Sequence, residues 1–314
     1  MTLSVKGLGV VLEGHALVDD FSLELRPGRV HAVVGESGSG KTLSALAVLG
    51  LLPEGATTRG SAVHDDVELL TADPRSRRTG LAMVLQEPLS ALNPVLSVAE
   101  HLLETLRVHH AGGDLRAAAL ALLAEVGIPS GEDRLPLYPH QLSGGQRQRV
   151  AIACALAAAP MVLIADEPTT ALDASMRGVI LTLLRHLARD RGLAVWLITH
   201  DLYAVRGASD EVTVMYAGRV VEHGLTAEVL DAPRHPYTVA LLASNLAGAK
   251  PGQPLPSLAG SVPLAREVIT GCRFHPRCPR VIDRCRVERP ALVGSVACHL
   301  AHPVGVRAVN GAKT

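Results

Sequence analysis

Gly35-Glu36-Ser37-Gly38-Ser39-Gly40-Lys41-Thr42 is the segment whose residue types and spacing carry the clearest chemistry. It matches G-x-x-x-x-G-K-[ST] in full and lies between a strand-like run and a helical pattern, the context that motif needs. Glycines let the backbone turn tightly, so that successive N–H groups point inward at phosphate oxygens. The helix opening near Lys41 adds its positive N-terminal end. Lys41 is expected to reach the β- and γ-phosphates, and Thr42 to ligate Mg²⁺. The competing reading is a chance glycine-rich turn, and the Lys-Thr pair in register weighs against it.

Met161-Val162-Leu163-Ile164-Ala165-Asp166-Glu167 supplies the natural second half. An apolar strand carries Asp166 to its C-terminal end, where open α/β sheets bind ligands. Asp166 is expected to hold Mg²⁺ mainly through water, and Glu167 to orient or deprotonate an attacking water. Leu142-Ser143-Gly144-Gly145-Gln146 opens another helix, whose free N–H groups and dipole suit a second anion.

The elements that must position these groups are legible as alternation. Leu3–Val5, Leu8–Leu12, Phe21–Leu25, Val30–Val34, Leu81–Leu85 and Met161–Ala165 read as strands, as do 194–199, 211–216 and 219–222. Helical patterns run from Lys41 to about Leu52, from Ser97 to Ala158 with breaks at Gly112-Gly113 and Pro129 to Pro139, and over 175–190. Strands alternating with helices imply a parallel sheet covered on both faces.

Composition narrows the class. The 314 residues predict about two domains, or one large α/β domain with an appendage. Hydrophobic residues at 48% and charged residues at 19% exclude a disordered chain. Aromatics at 2% argue against a single-strand nucleic-acid binder built on stacking platforms. A formal charge of zero gives no global field for DNA or an anionic membrane. The longest apolar run, Val150 to Ala165, is too short to span a bilayer and contains Pro160. The N-terminus lacks the features of a secretory signal, so a cytosolic chain with reduced or metal-bound cysteines is expected.

Leu142–Gln146 resembles the signature sequence of ABC-transporter ATPases. Gln86 after a strand, Thr170-Ala171-Leu172-Asp173 after Glu167, and His200 in Ile198-Thr199-His200-Asp201 follow the same family in the same order. The resemblance covers about residues 1–230. It implies an ABC-type P-loop NTPase fold: a RecA-like parallel sheet core, an antiparallel β subdomain and an α-helical signature subdomain at about 92–158. It also implies a head-to-tail dimer, in which the Ser143–Gln146 segment of one ATPase closes over ATP held by the other. Gln86 would touch Mg²⁺ and the water, His200 would contact the γ-phosphate, and Asp173 would line the dimer interface. One departure is Leu12, which stands where the family places an adenine-stacking ring.

Gln86-Glu87-Pro88 with Leu92-Asn93-Pro94, Arg234-His235-Pro236-Tyr237-Thr238, and the tail around Cys272 and Cys278 resemble the oligopeptide, dipeptide and nickel importer branch. That resemblance implies an ATPase domain at 1–232 and a Cys-bearing extension at 233–314. The partners it implies are a second, related ATPase, two permeases met by a groove at about 86–100, and an extracytoplasmic binding protein. Nucleic acid is not among them. The expected activity is ATP hydrolysis driving uptake of di- or oligopeptides at the cytoplasmic face of the cell membrane. A nickel or metal-chelate importer is the alternative; a soluble, non-transport ABC ATPase fits less well, because the chain has one ATPase unit and no room for a long coiled coil.

Cys272, Cys278, Cys285 and Cys298 read as a metal site, with reduced buried cysteines or a zinc site using His275 or His299 as the alternatives. The branch resemblance implies a [4Fe-4S] cluster there, acting as a staple. Cys154 reads as core packing, and His109-His110 as a solvated loop.

Overall fold

In β3 (Val30–Val34), β7 (Val162–Asp166) and β8 (Ala194–Thr199) every residue is buried. Alternate side chains of a strand face opposite ways. Val30, Ala32, Val34, Leu163, Ala165, Val195 and Leu197 enter one apolar core; Val33, Val162, Ile164, Trp196 and Ile198 enter another. The unbroken apolar runs are therefore those of a sheet covered on both sides. The computed structural model describes residues 2–71, 80–86, 92–109, 112–244, 258, 260–263, 267 and 269–301.

Three further strands complete this sheet: β6 (Leu81–Val84), β9 (Glu211–Tyr216) and β10 (Arg219–Leu225). The order is β10-β9-β3-β8-β7-β6. Neighbouring pairs are parallel except β9 and β10, which pair antiparallel. The sheet expected to be parallel is thus closed at one edge by a hairpin. Its tight turn has positive φ at Ala217 and Gly218.

The second core lies beneath a four-stranded antiparallel sheet. It is formed by β1 (Leu3–Leu12), β2 (His15–Leu25), β4 (Thr57–His64) and β5 (Val67–Glu68), in the order β2-β1-β4-β5. The two runs expected at 3–5 and 8–12 form one strand, because a bulge carries β1 through Gly7 at φ 58° without breaking its pairing to β2. Helix α1 (Lys41–Leu49) packs into the same core. It stops short of Leu52 because Gly50 adopts a left-handed conformation and its N–H caps the Ala47 carbonyl.

The first core is covered by helices α2 (Val98–His109), α3 (Leu115–Glu125), α4 (Gly131–Arg134), α5 (Gly144–Leu156) and α6 (Ala174–Arg191). The break at Gly112-Gly113 holds, with Asp114 accepting from the Arg116 and Ala117 N–H groups to start α3. Residues 87–91 of the expected groove, His110 and the Pro/Gly-rich stretch at 251–257 lie outside the described residues.

Helices α7 (Thr226–Asp231), α8 (Pro236–Ala243) and α9 (Asp283–Val287) belong to the C-terminal part. Buried Glu222 of β10 accepts the Arg234 and His235 N–H groups at 2.7 and 3.0 Å. Residues 293–297 lie along β10, the His223 N–H donating to the Ser295 carbonyl and the Ala297 N–H to that of Val221. Tyr237 and Phe274 enter the first core. Among the described residues no helix is long and apolar enough to cross a membrane.

Candidate nucleotide site

The strand order explains the site. β3, β8 and β7 are neighbours, so the segments that follow them emerge side by side at the C-terminal edge of the sheet. Those segments carry Gly35–Thr42, His200 and Asp166-Glu167. They surround a cleft of about 690 Å³ lined by Glu36 through Leu43, Gln86, Glu167, Thr170 and His200.

Lys41 is buried within its own loop, its Nζ donating to the Gly35 carbonyl at 2.8 Å and the Glu36 carbonyl at 3.0 Å. Ser39 Oγ is fully buried with no hydrogen-bond partner, which suits an anion's oxygen. Gly35 has no room for a side chain, because a Cβ there would stand 2.2 Å from the Met215 carbonyl. Thr42 Oγ1 donates to Asp166 Oδ1 at 3.0 Å. A hydroxyl and a carboxylate oxygen side by side are hard donors of the kind Mg²⁺ takes beside nucleotide phosphates.

Glu167 departs from the strand that delivers it. Its φ is 48°, a left-handed backbone that few non-glycine residues adopt, and its N–H donates to the Ile198 carbonyl at 2.9 Å. The Oε2 atom accepts from Thr170 Oγ1 at 2.6 Å and pairs with His200 Nδ1 at 2.7 Å. Burial alone would raise the Glu167 carboxyl, but the His200 and Thr170 hydrogen bonds outweigh it and hold the group below its ordinary value. The Glu167 hydrogen bond in turn raises His200 against the pull of burial. Burial raises Asp166, with the Glu167 charge adding to it, and burial lowers Lys41 against the attraction of Glu167, Asp166 and Glu36.

The other motif lies elsewhere. Ser143, Gly144, Gly145, Gln146 and Asp173 do not line this cleft. Ser143 caps α5 reciprocally with Gln146: Ser143 Oγ accepts the Gln146 N–H at 3.3 Å, and Gln146 Oε1 accepts the Ser143 N–H at 3.0 Å. Both residues line a separate recess with Arg134 and Arg149. Asp173 caps α6 by accepting the Met176 N–H at 2.9 Å.

The four C-terminal cysteines are unpaired, and Cys272 feels the charge of the other three. Burial pushes the Cys272 thiol up to about 11 and raises that of Cys278. Among the described residues, however, no group of three or more His, Cys, Asp or Glu side chains is drawn into metal-holding geometry. The expected [4Fe-4S] cluster or zinc site is therefore not formed by these side chains among the described residues. Cys154 packs partly buried against the first core, and desolvation raises its thiol to about 12.

Residues 18–170 match the family model for ABC transporters, and residues 221–285 match that for the oligopeptide/dipeptide transporter C-terminal region. The chain is 44% identical over 282 residues to the dipeptide transport ATP-binding protein DppD of Escherichia coli (strain K12), covering 88% of this chain and 86% of that protein. It is 40% identical over 279 residues to the oligopeptide transport ATP-binding protein OppD of Salmonella typhimurium, covering 87% and 83%. The chain belongs to the ABC transporter family of ATP-binding proteins.

Solved structures agree on the ABC fold. A dimeric ATP-binding cassette, MJ0796, in a post-hydrolysis state bound to ADP and Pi, superposes with a TM-score of 0.62 at 27% identity, covering 71% of this chain and 98% of that one. CbiO1 of Clostridium perfringens, part of the ABC transporter complex cbiONQ, gives 0.65 at 28% identity, covering 74% and 91%.

Two features of this ABC site escaped the sequence reading. Leu12 lines neither the cleft nor the smaller recess beside it; that recess has His15, Leu17, Gly38 and Leu43 in its wall, so an imidazole stands near the phosphate loop. Leu241 and Ser244, from the C-terminal part, line the cleft itself. Their positions in the chain carry no motif, and only the docking of α8 brings them there.

Proposed function

We propose that this chain is the ATP-hydrolysing subunit of an importer for di- or oligopeptides. The carrying observation is that the likeness to peptide-transport ATP-binding proteins runs through the C-terminal region as well as the ATPase core. The loop Gly35, Ser37, Gly38, Ser39, Gly40 and Lys41 binds the triphosphate, and Thr42, Asp166 and Gln86 hold its Mg²⁺. Bound Mg²⁺ supplies charge neutralisation for the β- and γ-phosphates. Glu167 is the general base toward the attacking water, and His200 holds its carboxylate in place and faces the γ-phosphate. With Oε2 engaged by Thr170 and His200, the Oε1 atom of an ionised Glu167 accepts the water's proton, while the loop's fixed N–H groups and Lys41 stabilise charge on the leaving phosphate.

The separation of Ser143–Gln146 from the cleft of the same chain supports a site completed by a second ATPase. Head-to-tail pairing brings that cap, with Asp173 at the interface, over the partner's nucleotide. A related chain is favoured as the partner over a second copy, on the resemblance to the oligopeptide and dipeptide importer branch. Two permeases receive the motion through residues 86–100, an extracytoplasmic binding protein delivers substrate, and the chain lies on the cytoplasmic face of the membrane. The ATPase unit spans 1–232, with its helical part at 92–158, and the extension spans 233–314. The Cys272, Cys278, Cys285 and Cys298 thiols are the donor set for a [4Fe-4S] staple or zinc; visible absorption and metal analysis of anaerobically purified protein separate the two.

ATPase activity of the reconstituted complex tests this function. Stimulation by binding protein loaded with di- or oligopeptides is the expected result. Stimulation by nickel alone moves the substrate to metal, and no stimulation by either removes the peptide reading and leaves an ABC ATPase for a different substrate.

A further inference from the structure

Glu36, the second residue of the phosphate loop, is gripped from the far end of the chain. Its N–H donates to the Tyr237 hydroxyl at 2.9 Å. Its carboxylate accepts both branches of the Arg277 guanidinium, Nη1 to Oε2 at 2.8 Å and Nη2 to Oε1 at 3.1 Å. The Arg277 side chain is only 6% exposed. It also donates to Tyr216 Oη and to the Leu258 carbonyl, both at 3.3 Å. Behind this contact, the Tyr216, Tyr237 and Phe274 rings pack with centroids 4.7 to 5.5 Å apart. The Glu36 carbonyl meanwhile accepts from Lys41 Nζ. One loop residue is therefore tied to the phosphate lysine on one side and to the C-terminal extension on the other.

Glycines at 35, 38 and 40 let the loop wrap phosphate, and they also leave it many shapes to lose on binding. A bidentate Arg–carboxylate pair has a fixed planar geometry, and burial protects it from screening. The Tyr237 hydroxyl fixes the direction of the adjoining peptide. We propose that Arg277 and Tyr237 are positioning residues through which the C-terminal extension holds the phosphate loop in its nucleotide-binding shape. This rests on the reading of Gly35–Thr42 as the triphosphate site. A contact that only docked the extension would change stability and leave nucleotide affinity alone.

The test is a double-mutant cycle on the full-length chain, with Mg-ATP affinity read by calorimetry and the thermal midpoint of the nucleotide-free protein read in parallel. Arg277→Met and Glu36→Gln should each weaken Mg-ATP binding about three- to tenfold, and the double variant no further than the weaker single. Arg277→Lys should recover part of the loss. Tyr237→Phe removes one hydroxyl, keeps the ring packing, and should weaken binding on its own even if Arg277→Met does not fold. Unchanged affinity in the single variants despite a lowered midpoint overturns the proposal, as do losses that simply add. A wild-type chain that binds no Mg-ATP overturns the nucleotide-site reading, and this proposal with it.

Discussion

His200 Nδ1 lies 2.7 Å from Glu167 Oε2, the oxygen that also accepts from Thr170 at 2.6 Å. The contact joins the residue after β7 to the residue after β8, so it locks the ends of two adjacent strands together. The Glu167 side chain is 10% exposed and that of His200 56%, so solvent reaches the pair from the histidine side.

The pair should impose a pH window on stability. Glu167 is held below its ordinary 4.5, so its contribution is complete above that value and fades as pH falls through the lowered one. His200 is held above its ordinary 6.5, so its contribution is complete below that value and fades as pH rises through the raised one. The stability difference between wild type and His200→Ala should therefore be largest between pH 4.5 and 6.5 and shrink on both sides. Thermal melts of the nucleotide-free chain across pH 3.5 to 9, roughly the range over which both groups titrate, provide the measurement. A difference that does not vary with pH would show that the contact is not an ion pair.

Glu167→Gln keeps an oxygen for Thr170 and His200 but removes the group that takes a proton. Hydrolysis should fall by roughly a hundredfold or more, with Mg-ATP binding retained. In the assembled ATPase pair the variant should accumulate bound ATP, read by counting nucleotide on the isolated complex. Normal turnover would remove Glu167 from the role of base.

Gly35→Ala tests the close approach of the phosphate loop to β9. The Met215 carbonyl, 2.2 Å from the added methyl, belongs to a backbone hydrogen-bonded within the sheet and cannot rotate away. Either the loop or the β3–β9 pairing must shift. The expected result is about 1–3 kcal/mol of lost stability in denaturant titration, together with loss of Mg-ATP binding. Wild-type affinity in this variant would mean that the loop tolerates displacement.

What was legible in the sequence is what short segments specify by themselves. The glycines of 35–40 announce a tight anion cradle, and the apolar runs of β3, β8 and β9 match their observed bounds because all three strands are almost wholly buried. Contacts made by the fold were not legible. Arg277 and Glu36 are 241 positions apart, and no periodicity links them. The φ of 48° at Glu167 was not legible either, because Glu has no local preference for that conformation. The cysteine spacing shows four donors but not their mutual geometry, which depends on how segments up to 26 residues apart fold together. His15 was not legible, because an exposed imidazole at the start of a strand carries no pattern.

Asp19 offers a test of how the extension and the antiparallel sheet are held to the core. This one carboxylate accepts from Arg219 Nη2 at 2.7 Å and Nε at 3.0 Å, from Arg289 Nη1 at 3.2 Å, and from Arg59. It thus ties β2, β4, β10 and the segment after α9 at one point. Burial opposes its ionisation, but Arg219 foremost, then Arg289 and Arg59, hold it below its ordinary 3.8. Asp19→Ala would leave three guanidinium groups crowded together without their shared acceptor. The arginines are partly exposed and water recovers some of the loss, so the expected cost is about 2 kcal/mol. Asp19→Asn should cost nearly as much, because the amide keeps one acceptor but not the charge. In wild type the contribution should persist above pH 3.8 and disappear as pH falls through the lowered value. Denaturant midpoints of the three proteins at pH 7 and near pH 3 make the comparison; equal midpoints at pH 7 would show that the arginines find other partners without Asp19.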